Sequence, residues 1–185
     1  LDALIRVEQC TFVAFVPSFT SVFLETCRLG PTARSIASAG EASPPSLRQH
    51  LWDRCDGCPR VANLWGPTEC STYATVHFAS PADGDKASVS IGKPCTNRLV
   101  YILDDRLQPC AIDVAGEMYL AGPSLARGYR NRDDLTLNSF FEATINGKKM
   151  LVYRTGDLGR WRADGAIDFL GRADFQVKIR GLRIE

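Results

Sequence analysis

The sequence lacks any apolar run near the roughly 18 residues that a membrane-spanning helix needs. Its first residues also lack the basic, apolar and small-residue order of a secretory signal, so we expect a cytoplasmic location and no membrane partner. An excess of one charge is missing too, because 22 Lys and Arg residues stand against 21 Asp and Glu residues. The net charge of +1 gives no electrostatic reason to expect nucleic acid as a partner. Any anionic ligand must be held by a local site.

The sequence also lacks the cysteine spacings that are typical of disulfide-bonded domains and of zinc sites. Seven cysteines lie at scattered spacings, an odd set that forms no disulfide framework. Cys55 and Cys58 have no second pair to complete a zinc site, which favours free thiols; a metal held together with His50 is the alternative. The sequence contains neither Gly-x-Gly-x-x-Gly nor a Walker-type Gly-x-x-x-x-Gly-Lys-Ser/Thr, which removes two common nucleotide-binding motifs.

The first 65 residues alternate short apolar runs with helical patterns. Strands are predicted at 10–16, 33–40 and 60–65, and helices at 18–30 and 44–55. Ser18 is expected to cap the first helix and Gly30 to end it. Strands separated by helices indicate parallel crossovers, and with 45% hydrophobic residues the chain can bury a core. We therefore expect an α/β fold.

From about residue 72 the pattern changes to short strand-like runs broken by Gly, Asp and Pro turns. These runs are 71–79, 97–104, 116–122, 149–156 and 166–171. One helix is predicted at 131–141 and a flexible stretch at 80–88. The second half is thus expected to be mostly antiparallel β. The chain opens in a helical pattern and ends in a strand pattern without a stop signal, which predicts a fragment of something larger.

The third predicted strand ends in the heptapeptide NLWGPTE, residues 63–69. Ligands of open α/β sheets bind beyond the carboxyl ends of the strands, so this position suits a site. Thr68 offers a hydroxyl to a phosphate oxygen, Glu69 a carboxylate suited to Mg²⁺, and Trp65 a face for stacking on a base. The alternative is a Gly-Pro turn followed by a solvated Thr-Glu pair.

Two further stretches are candidates for ligand binding. In YRTGDLGRWRADG, residues 153–165, Gly156 and Gly159 flank a loop in which Asp157 can accept both hydroxyls of a ribose; a tight turn is the alternative. Near the end of the chain lie the cations Arg172, Lys178, Arg180 and Arg183. Alternation puts Gln176, Lys178 and Arg180 on one strand face, and Arg172 stands apart from it.

In their order and spacing, three runs resemble the core motifs of the adenylation domains of nonribosomal peptide synthetases, members of the adenylate-forming superfamily. The runs are NLWGPTE, GEMYLAGPSLARGYRNRDDLT and YRTGDLGRWRADGAIDFLGRADFQVKIRGLRIE. The implied reaction is attack of an amino acid carboxylate on the α-phosphate of ATP, which gives aminoacyl-AMP and pyrophosphate. The acyl group then passes to a phosphopantetheine thiol on a partner carrier domain.

The segmentation and the resemblance together imply the C-terminal part of the large N-terminal region of such an enzyme. An α/β parallel-sheet subdomain is expected to end near residue 75, so it occupies 1–75. A β-rich, barrel-like subdomain follows at 76–173. Residues 174–185 are expected to form the hinge and the start of a small C-terminal domain.

The resemblance also implies roles for NLWGPTE, residue by residue. Trp65 matches the aromatic that stacks on adenine, which is more usually Tyr in this family, and Gly66 lies in the same nucleotide-binding loop. Thr68 and Glu69 match the phosphate-binding and Mg²⁺-binding positions, and they are the implied catalytic pair.

Downstream, the resemblance implies that Asp157 binds the ribose and that Arg172 also contacts the nucleotide. Asp174 matches the hinge about which the C-terminal domain rotates. Six residues resemble positions that line the amino acid pocket: Phe15, Ala37, Ala39, Leu64, Thr72 and Tyr73. Four of the six are apolar, which favours an uncharged amino acid or a hydroxy acid.

Other parts of the family's machinery match nothing in this window: the Ser/Thr/Gly-rich phosphate loop, the pocket aspartate and the lysine that contacts the reacting carboxylate. We therefore predict that the 185-residue chain alone has no adenylation activity. Alternatives are a free-standing adenylate-forming ligase, an activating domain of the aminoadipate reductase type, or a non-catalytic relic of the fold. Intact Thr68, Glu69, Asp157 and Arg172 argue against the relic.

Overall fold

A computed structural model describes residues 1–54, 60–80, 90–174, 176–179 and 182–184. The described residues form helices α1 Asp2–Val7, α2 Pro17–Thr26, α3 Pro45–Arg54 and α4 Asp133–Ser139. Their strands are β1 Phe12–Phe15, β2 Ser35–Ala39, β3 Arg60–Trp65, β4 Thr75–Phe78, β5 Ser90–Pro94, β6 Leu99–Leu103, β7 Gly116–Ala121, β8 Phe140–Ile145, β9 Lys148–Trp161, β10 Ile167–Arg172, β11 Val177–Ile179 and β12 Leu182–Ile184.

The chain divides into two compact units. The parallel unit comprises Leu1–Leu64 with the described residues of His77–Val89 and Gln176–Glu185. The antiparallel unit comprises Trp65–Val76 with the described residues of Ser90–Phe175. The division assigns most of NLWGPTE to the antiparallel unit, whereas the subdomain boundaries near residues 75 and 173 stay predictions.

The parallel unit is built on β1, β2 and β3, which pair in parallel as expected for strands joined by helices. Val13, Ile36 and Val61 are aligned across the three strands and all buried, so they form one apolar row. This row belongs to a core cluster that includes Phe23 and Leu24 of α2 and Leu47 and Leu51 of α3. The predicted α/β fold is therefore confirmed.

Helix α2 begins and ends earlier than its sequence pattern indicates. Val16 is the N-cap and Pro17 takes the first helical position, where the missing N–H of proline costs nothing. Ser18 is therefore not the cap, and its N–H and hydroxyl donate instead to the Glu41 carboxylate at 2.9 and 3.0 Å. The helix ends at Thr26, before Gly30. Among the described helices, none is both long and apolar enough to cross a membrane.

The antiparallel unit has the strand order β5-β10-β9-β7-β6, with β8 also on β9 and β4 on β5. All these pairings are antiparallel, as the sequence predicted. Two strands were not predicted: β5 contains Gly92 and Pro94, which weaken a strand pattern, and β8 begins inside the predicted helix 131–141. Helix α4 accordingly ends at Ser139.

Strand β9 is the longest strand described and pairs with three others. Its ladder with β8 ends at Tyr153, and its ladder with β10 begins at Asp157. On the opposite edge, the register with β7 shifts between Glu117 and Tyr119. The interruption around residues 154–157 is a β-bulge, a device that re-aims a side chain beside functional sites.

Candidate active site

The segment after β3 forms a closed loop. The carbonyl of Trp65 accepts a hydrogen bond from the N–H of Ala74 at 2.8 Å, which ties the two ends of Gly66–Tyr73 together. A Cβ at Gly66 would lie 2.5 Å from the Ala74 nitrogen and 2.7 Å from the Thr72 oxygen. Both atoms belong to the backbone and cannot move aside alone, so this position requires glycine.

The backbone of this loop is strained at two adjacent residues. A 3₁₀ turn at Thr68–Cys70 is followed by Ser71 at φ 54° and Thr72 at φ 78°. A positive φ is an outlier for a β-branched residue such as Thr72. Ser71 Oγ donates to the carbonyl of Ser124 at 3.0 Å, which helps to hold the conformation. Strained residues cluster at ligand-binding sites, so this backbone favours the predicted site over an ordinary Gly-Pro turn.

Glu69 is the buried member of the predicted Thr-Glu pair. Only 7% of Glu69 is exposed, whereas Thr68 is exposed to solvent. Its carboxylate oxygen Oε1 accepts a 2.5 Å hydrogen bond from the Tyr129 hydroxyl, and its backbone oxygen accepts the Ala126 N–H at 2.8 Å. The alternative of a solvated pair is therefore wrong for Glu69.

Trp65 is joined to the second predicted carboxylate. Its indole Nε1 donates to Asp157 Oδ2 at 2.9 Å, although the two residues lie 92 positions apart. Trp65 is 8% exposed and belongs to the core cluster of the antiparallel unit, and Asp157 is 7% exposed. The indole N–H is a donor by which this carboxylate is held in the core. The stacking of Trp65 on adenine stays a prediction.

Asp157 lies in a strand and not in the loop that the sequence indicated. The bulge of β9 places Gly156 at φ 71°, a backbone conformation that suits glycine. Thr155 stabilises it, since its hydroxyl donates to the Met118 carbonyl at 2.7 Å and accepts the Asp157 N–H at 3.0 Å. The backbone of Asp157 is therefore held in place next to the bulge of β9.

Arg172 connects Asp157 to the predicted hinge residue. Its Nη1 donates to Asp157 Oδ1 and to the Thr155 carbonyl, both at 2.8 Å. Its Nε and Nη2 donate to the two oxygens of Asp174 at 2.9 and 2.6 Å. Burial alone lowers the pKa of Arg172, but hydrogen bonding to Asp174 and the charge of Asp157 outweigh it and raise that pKa above its ordinary value. One guanidinium thus bridges two carboxylates.

The predicted pocket residues fall on two faces of the parallel sheet. Ala37 and Ala39 share a face, and the register aligns Ala39 with Leu64. Phe15 is aligned with Ser38, so it points to the opposite face, where its ring packs 5.1 Å from Phe19 and 5.6 Å from Phe23. Phe15 and the two alanines therefore lie on opposite faces of the sheet, and the pocket role of Phe15 stays a prediction. The β1 residue on the alanine face is Ala14, aligned with Ala37.

The six predicted pocket residues do not all belong to one unit, and some other predicted residues lie outside the described ranges. Thr72 and Tyr73 belong to the antiparallel unit, and the other four pocket residues belong to the parallel unit. Cys55, Cys58, Arg180 and residues 81–88 lie outside the described residues, as do the side chains of Lys178 and Arg183. Within the described ranges no group of three or more His, Cys, Asp or Glu side chains could hold a metal ion, and His50 is exposed on α3.

Sequence reasoning missed Tyr129, which contacts Glu69 from 60 positions away. It lies within a run that carried the family resemblance, between a glycine and a helix start. An aromatic ring with a polar tip in such a loop is a signal that could have drawn attention to it. Its partner, however, is determined by the folded sheet and not by any spacing along the chain.

The oxygen atoms of Thr68, Glu69 and Asp157 suit a nucleotide that is bound together with Mg²⁺. Mg²⁺ usually binds proteins through one or two carboxylates and takes its other ligands from substrate phosphates and water. A single buried Glu69 beside the Thr68 hydroxyl matches that requirement, even though the described residues form no larger ligand cluster. The two carboxylate oxygens of Asp157 are acceptors of the kind that a ribose diol requires.

Comparison with known proteins agrees with this geometry. The family model for AMP-binding enzymes matches residues 1–130. A dimodular nonribosomal peptide synthase of Bacillus subtilis (strain 168) is 48% identical over 147 residues, which are 79% of this chain and 6% of that protein. The phosphinothricin tripeptide synthetase PhsB of Streptomyces viridochromogenes is 41% identical over 182 residues, 96% of this chain and 15% of that protein.

A solved structure of a nonribosomal peptide synthetase (NRPS) protein also matches this chain. Holo-PA1221, an NRPS protein containing adenylation and PCP domains bound to a vinylsulfonamide inhibitor, superposes with a TM-score of 0.92 at 30% identity. The match covers 99% of this chain and 32% of that one. The chain thus spans a small part of its curated relatives and about a third of this structure. It belongs to the AMP-binding enzyme family and is part of an adenylation domain of the nonribosomal peptide synthetase type.

Proposed function

We propose that the protein containing this chain activates an amino or hydroxy acid with ATP and loads it onto a carrier domain. The observation that carries the proposal is a pair of buried carboxylates in the antiparallel unit, Glu69 and Asp157. Each accepts a hydrogen bond from a residue at least 60 positions away. Burying two charges is costly, and a binding site for a cation and a ribose explains why they are retained.

In the proposed reaction the acid's carboxylate oxygen attacks the α-phosphorus of ATP. The bond from that phosphorus to the oxygen bridging to the β-phosphate breaks, and pyrophosphate leaves with the electron pair. A bound Mg²⁺ would neutralise charge on the phosphates. Glu69 would hold it, the Thr68 hydroxyl would donate to a phosphate oxygen, and catalysis would consist mainly of positioning and electrostatic stabilisation.

Four further residues are proposed to bind the ribose and the base of the nucleotide. Asp157 would accept the ribose hydroxyls, and Arg172 would contact the nucleotide while it orients Asp157. Trp65 would offer its ring to adenine and Gly66 its compact backbone. The roles of Asp157 and Arg172 are supported by the hydrogen bonds that fix their side chains, since a preorganised group needs little reorganisation on binding.

The acid is proposed to be uncharged, with a pocket wall formed by Ala37, Ala39 and Leu64 on one face of the parallel sheet. Small apolar side chains leave space and offer no charge to pair with a charged substrate. Because it shares the face of Ala37, Ala14 is proposed for this wall in place of Phe15. The pocket roles implied for Thr72 and Tyr73 stay predictions. Exchange of ATP with pyrophosphate that prefers Asp or Lys would contradict it.

A carrier domain is the proposed acceptor of the activated acyl group. A solved relative contains adenylation and PCP domains in one chain, which supports a phosphopantetheine-bearing carrier as the partner here. Asp174 is proposed as the hinge between the two steps. Its double hydrogen bond to Arg172 would link the hinge to the ribose carboxylate.

The proposal is tested with a complete adenylation domain carrying this chain, by acid-dependent exchange of pyrophosphate into ATP. Glu69→Gln keeps the shape of the side chain and removes its charge, so we expect exchange to fall by about 100-fold or more. Glu142→Gln is the matched control, because Glu142 is an exposed carboxylate of the same unit paired with Lys149. Unchanged exchange in Glu69→Gln would contradict the role of Glu69. The isolated 185-residue chain should be inactive.

A further inference from the structure

The contact between Tyr129 and Glu69 has the geometry of a strong hydrogen bond. The phenol Oη lies 2.5 Å from Glu69 Oε1, within the range of about 2.5–2.7 Å for a hydroxyl donating to a charged carboxylate. Such bonds are roughly twice as strong as neutral ones. Because Glu69 is almost completely buried, the hydroxyl also replaces water that the carboxylate loses on folding.

The segment before Tyr129, residues 124–129, also holds the backbone of Glu69. The N–H of Ala126 donates to the Glu69 carbonyl at 2.8 Å, three residues before Tyr129. The Cys70 thiol and the Ser124 hydroxyl lie 3.0 Å apart and add a neighbouring contact. One loop therefore fixes both the main chain of Glu69 and the orientation of its carboxylate.

Tyr129 is itself held by helix α4 and by β8. Its backbone N–H donates to Thr136 Oγ1 at 2.9 Å, and its ring packs edge-on against Phe140 with centroids 5.8 Å apart. Gly128 has φ 134°, and a Cβ there would collide with the Thr136 side chain. The hydroxyl is thus supported through a chain of contacts that leads from α4 to Glu69.

We propose that Tyr129 is a positioning residue that orients the Glu69 carboxylate for a divalent cation. This inference rests on the proposed function, in which Glu69 holds Mg²⁺. Hydrogen bonds to a metal-binding carboxylate fix its orientation, and their loss usually weakens metal affinity by about 10- to 100-fold. A carboxylate has about four lone-pair positions on two oxygens, so a hydrogen bond from Tyr129 and a metal ion can bind the same group.

The test uses Mn²⁺ as a spectroscopic probe in a complete adenylation domain. Free Mn²⁺ is measured by electron paramagnetic resonance in the presence of saturating ATP, and ATP binding without metal is measured by calorimetry. Tyr129→Phe removes the hydroxyl and keeps the ring against Phe140. We expect Mn²⁺ affinity to fall about tenfold while metal-free ATP affinity stays within about twofold.

Two further variants keep the inference falsifiable. Tyr101→Phe removes a hydroxyl from a half-buried tyrosine on β6 of the same unit and should leave both affinities unchanged. Thr136→Val removes the hydroxyl that holds the Tyr129 backbone and should weaken Mn²⁺ binding by about threefold. If Tyr129→Phe weakens metal-free ATP binding as much as Mn²⁺ binding, Tyr129 has only a structural role and the inference is wrong.

Glu69→Gln separates this inference from the proposed function. If Glu69→Gln leaves Mn²⁺ affinity unchanged, Glu69 is not the metal carboxylate and the proposed function itself loses its basis. If Glu69→Gln weakens Mn²⁺ binding and Tyr129→Phe matches the unmodified protein, the proposed function stands and the positioning role of Tyr129 is rejected.

Discussion

The parallel and antiparallel units carry different kinds of candidate residues. The parallel unit offers small apolar side chains on one face of three aligned strands, among them Ala37 and Ala39. The antiparallel unit offers charged groups, Glu69, Asp157 and Arg172, each fixed by hydrogen bonds to distant residues. In the first unit the proposed contribution is space, and in the second it is a set of preorganised charges.

This difference predicts how each unit responds to mutation. Ala14 is exposed, so a larger side chain there does not overpack a core and acts mainly on what binds beside it. A buried charge in a network cannot lose a partner without leaving another group unsatisfied. Substitutions in the antiparallel unit should therefore change stability and nucleotide binding together, whereas those in the parallel unit should separate stability from substrate preference.

Asp157→Asn should have the largest effect. Asp157 accepts from Arg172 at one oxygen and from Trp65 at the other, and an amide turns one of these acceptors into a donor. We expect a loss of about 3 kcal/mol in the free energy of unfolding, measured by denaturant titration of a complete adenylation domain, and much weaker ATP binding. Asp105→Asn, at an exposed position of the same unit, should stay within about 0.5 kcal/mol. If Asp157→Asn and Asp105→Asn changed the free energy of unfolding and ATP binding equally, the buried charges of the antiparallel unit would have no special role.

Gly156→Ala tests the bulge that presents Asp157. Gly156 has φ 71°, and a Cβ there would lie 2.6 Å from Arg172 Nη2. Arg172 is held by Asp157, Thr155 and Asp174, so moving it breaks several hydrogen bonds. Gly147→Ala is a matched control, since Gly147 has φ 76° and no atom within 4 Å of such a Cβ.

The control should lose about 1 kcal/mol of unfolding free energy from backbone strain alone. Gly156→Ala should lose about 2–3 kcal/mol and should also weaken ATP binding. A Gly156→Ala protein that binds ATP as tightly as the Gly147→Ala protein would show that Arg172 adjusts without cost, contrary to our interpretation.

Two neighbouring residues of β1 test the assignment of faces in the parallel unit. Phe15 packs on Phe19 and Phe23, so Phe15→Leu should lower the free energy of unfolding by about 1 kcal/mol and leave the preferred acid unchanged. Ala14→Leu should change the ratio of kcat/KM between small and large acids by about tenfold or more, with little loss of stability. The measurements are pyrophosphate exchange with a panel of acids and thermal unfolding. The opposite pattern would restore Phe15 to the pocket.

The sequence allowed good prediction where local patterns determine structure. Strands β1, β2 and β3, helix α3 and the change to antiparallel β follow from apolar periodicity and turn residues, and the structure confirms them. Phe15 shows the limit, because a shift of one residue in a strand exchanges the two faces and only the register decides.

Long-range polar contacts were not predictable. The pairs Trp65–Asp157 and Tyr129–Glu69 join residues 92 and 60 positions apart. No local pattern marks such partners, because they meet only when the antiparallel sheet has formed. The bulge at Gly156 was likewise interpreted as a loop, since glycine beside aspartate is typical of both. The sequence thus identified Trp65, Asp157 and Arg172 but not the contacts that join them, and it missed Tyr129.

The last predicted effect appears only at high pH and concerns the polar cluster of Glu117, Tyr119 and Arg154 in the antiparallel unit. Burial, together with the charge and hydrogen bond of Glu117 and against the opposing charge of Arg154, raises the pKa of Tyr119 to about 12. An unfolded tyrosine has a pKa of about 10, so the folded state holds the proton more tightly. The resulting stabilisation is present below pH 10 and is lost as pH rises from about 10 to about 12.

Tyr119→Phe removes this titration. The difference in unfolding free energy between the unmodified protein and Tyr119→Phe should be constant from about pH 7 to 9 and should shrink toward pH 12. A difference that is constant across the whole range would mean that Tyr119 has an ordinary pKa in the folded protein. The carboxylate of Glu117 also accepts a hydrogen bond from Arg154 at 2.8 Å, and the positive charge of Arg154 opposes the upward shift of the Tyr119 pKa.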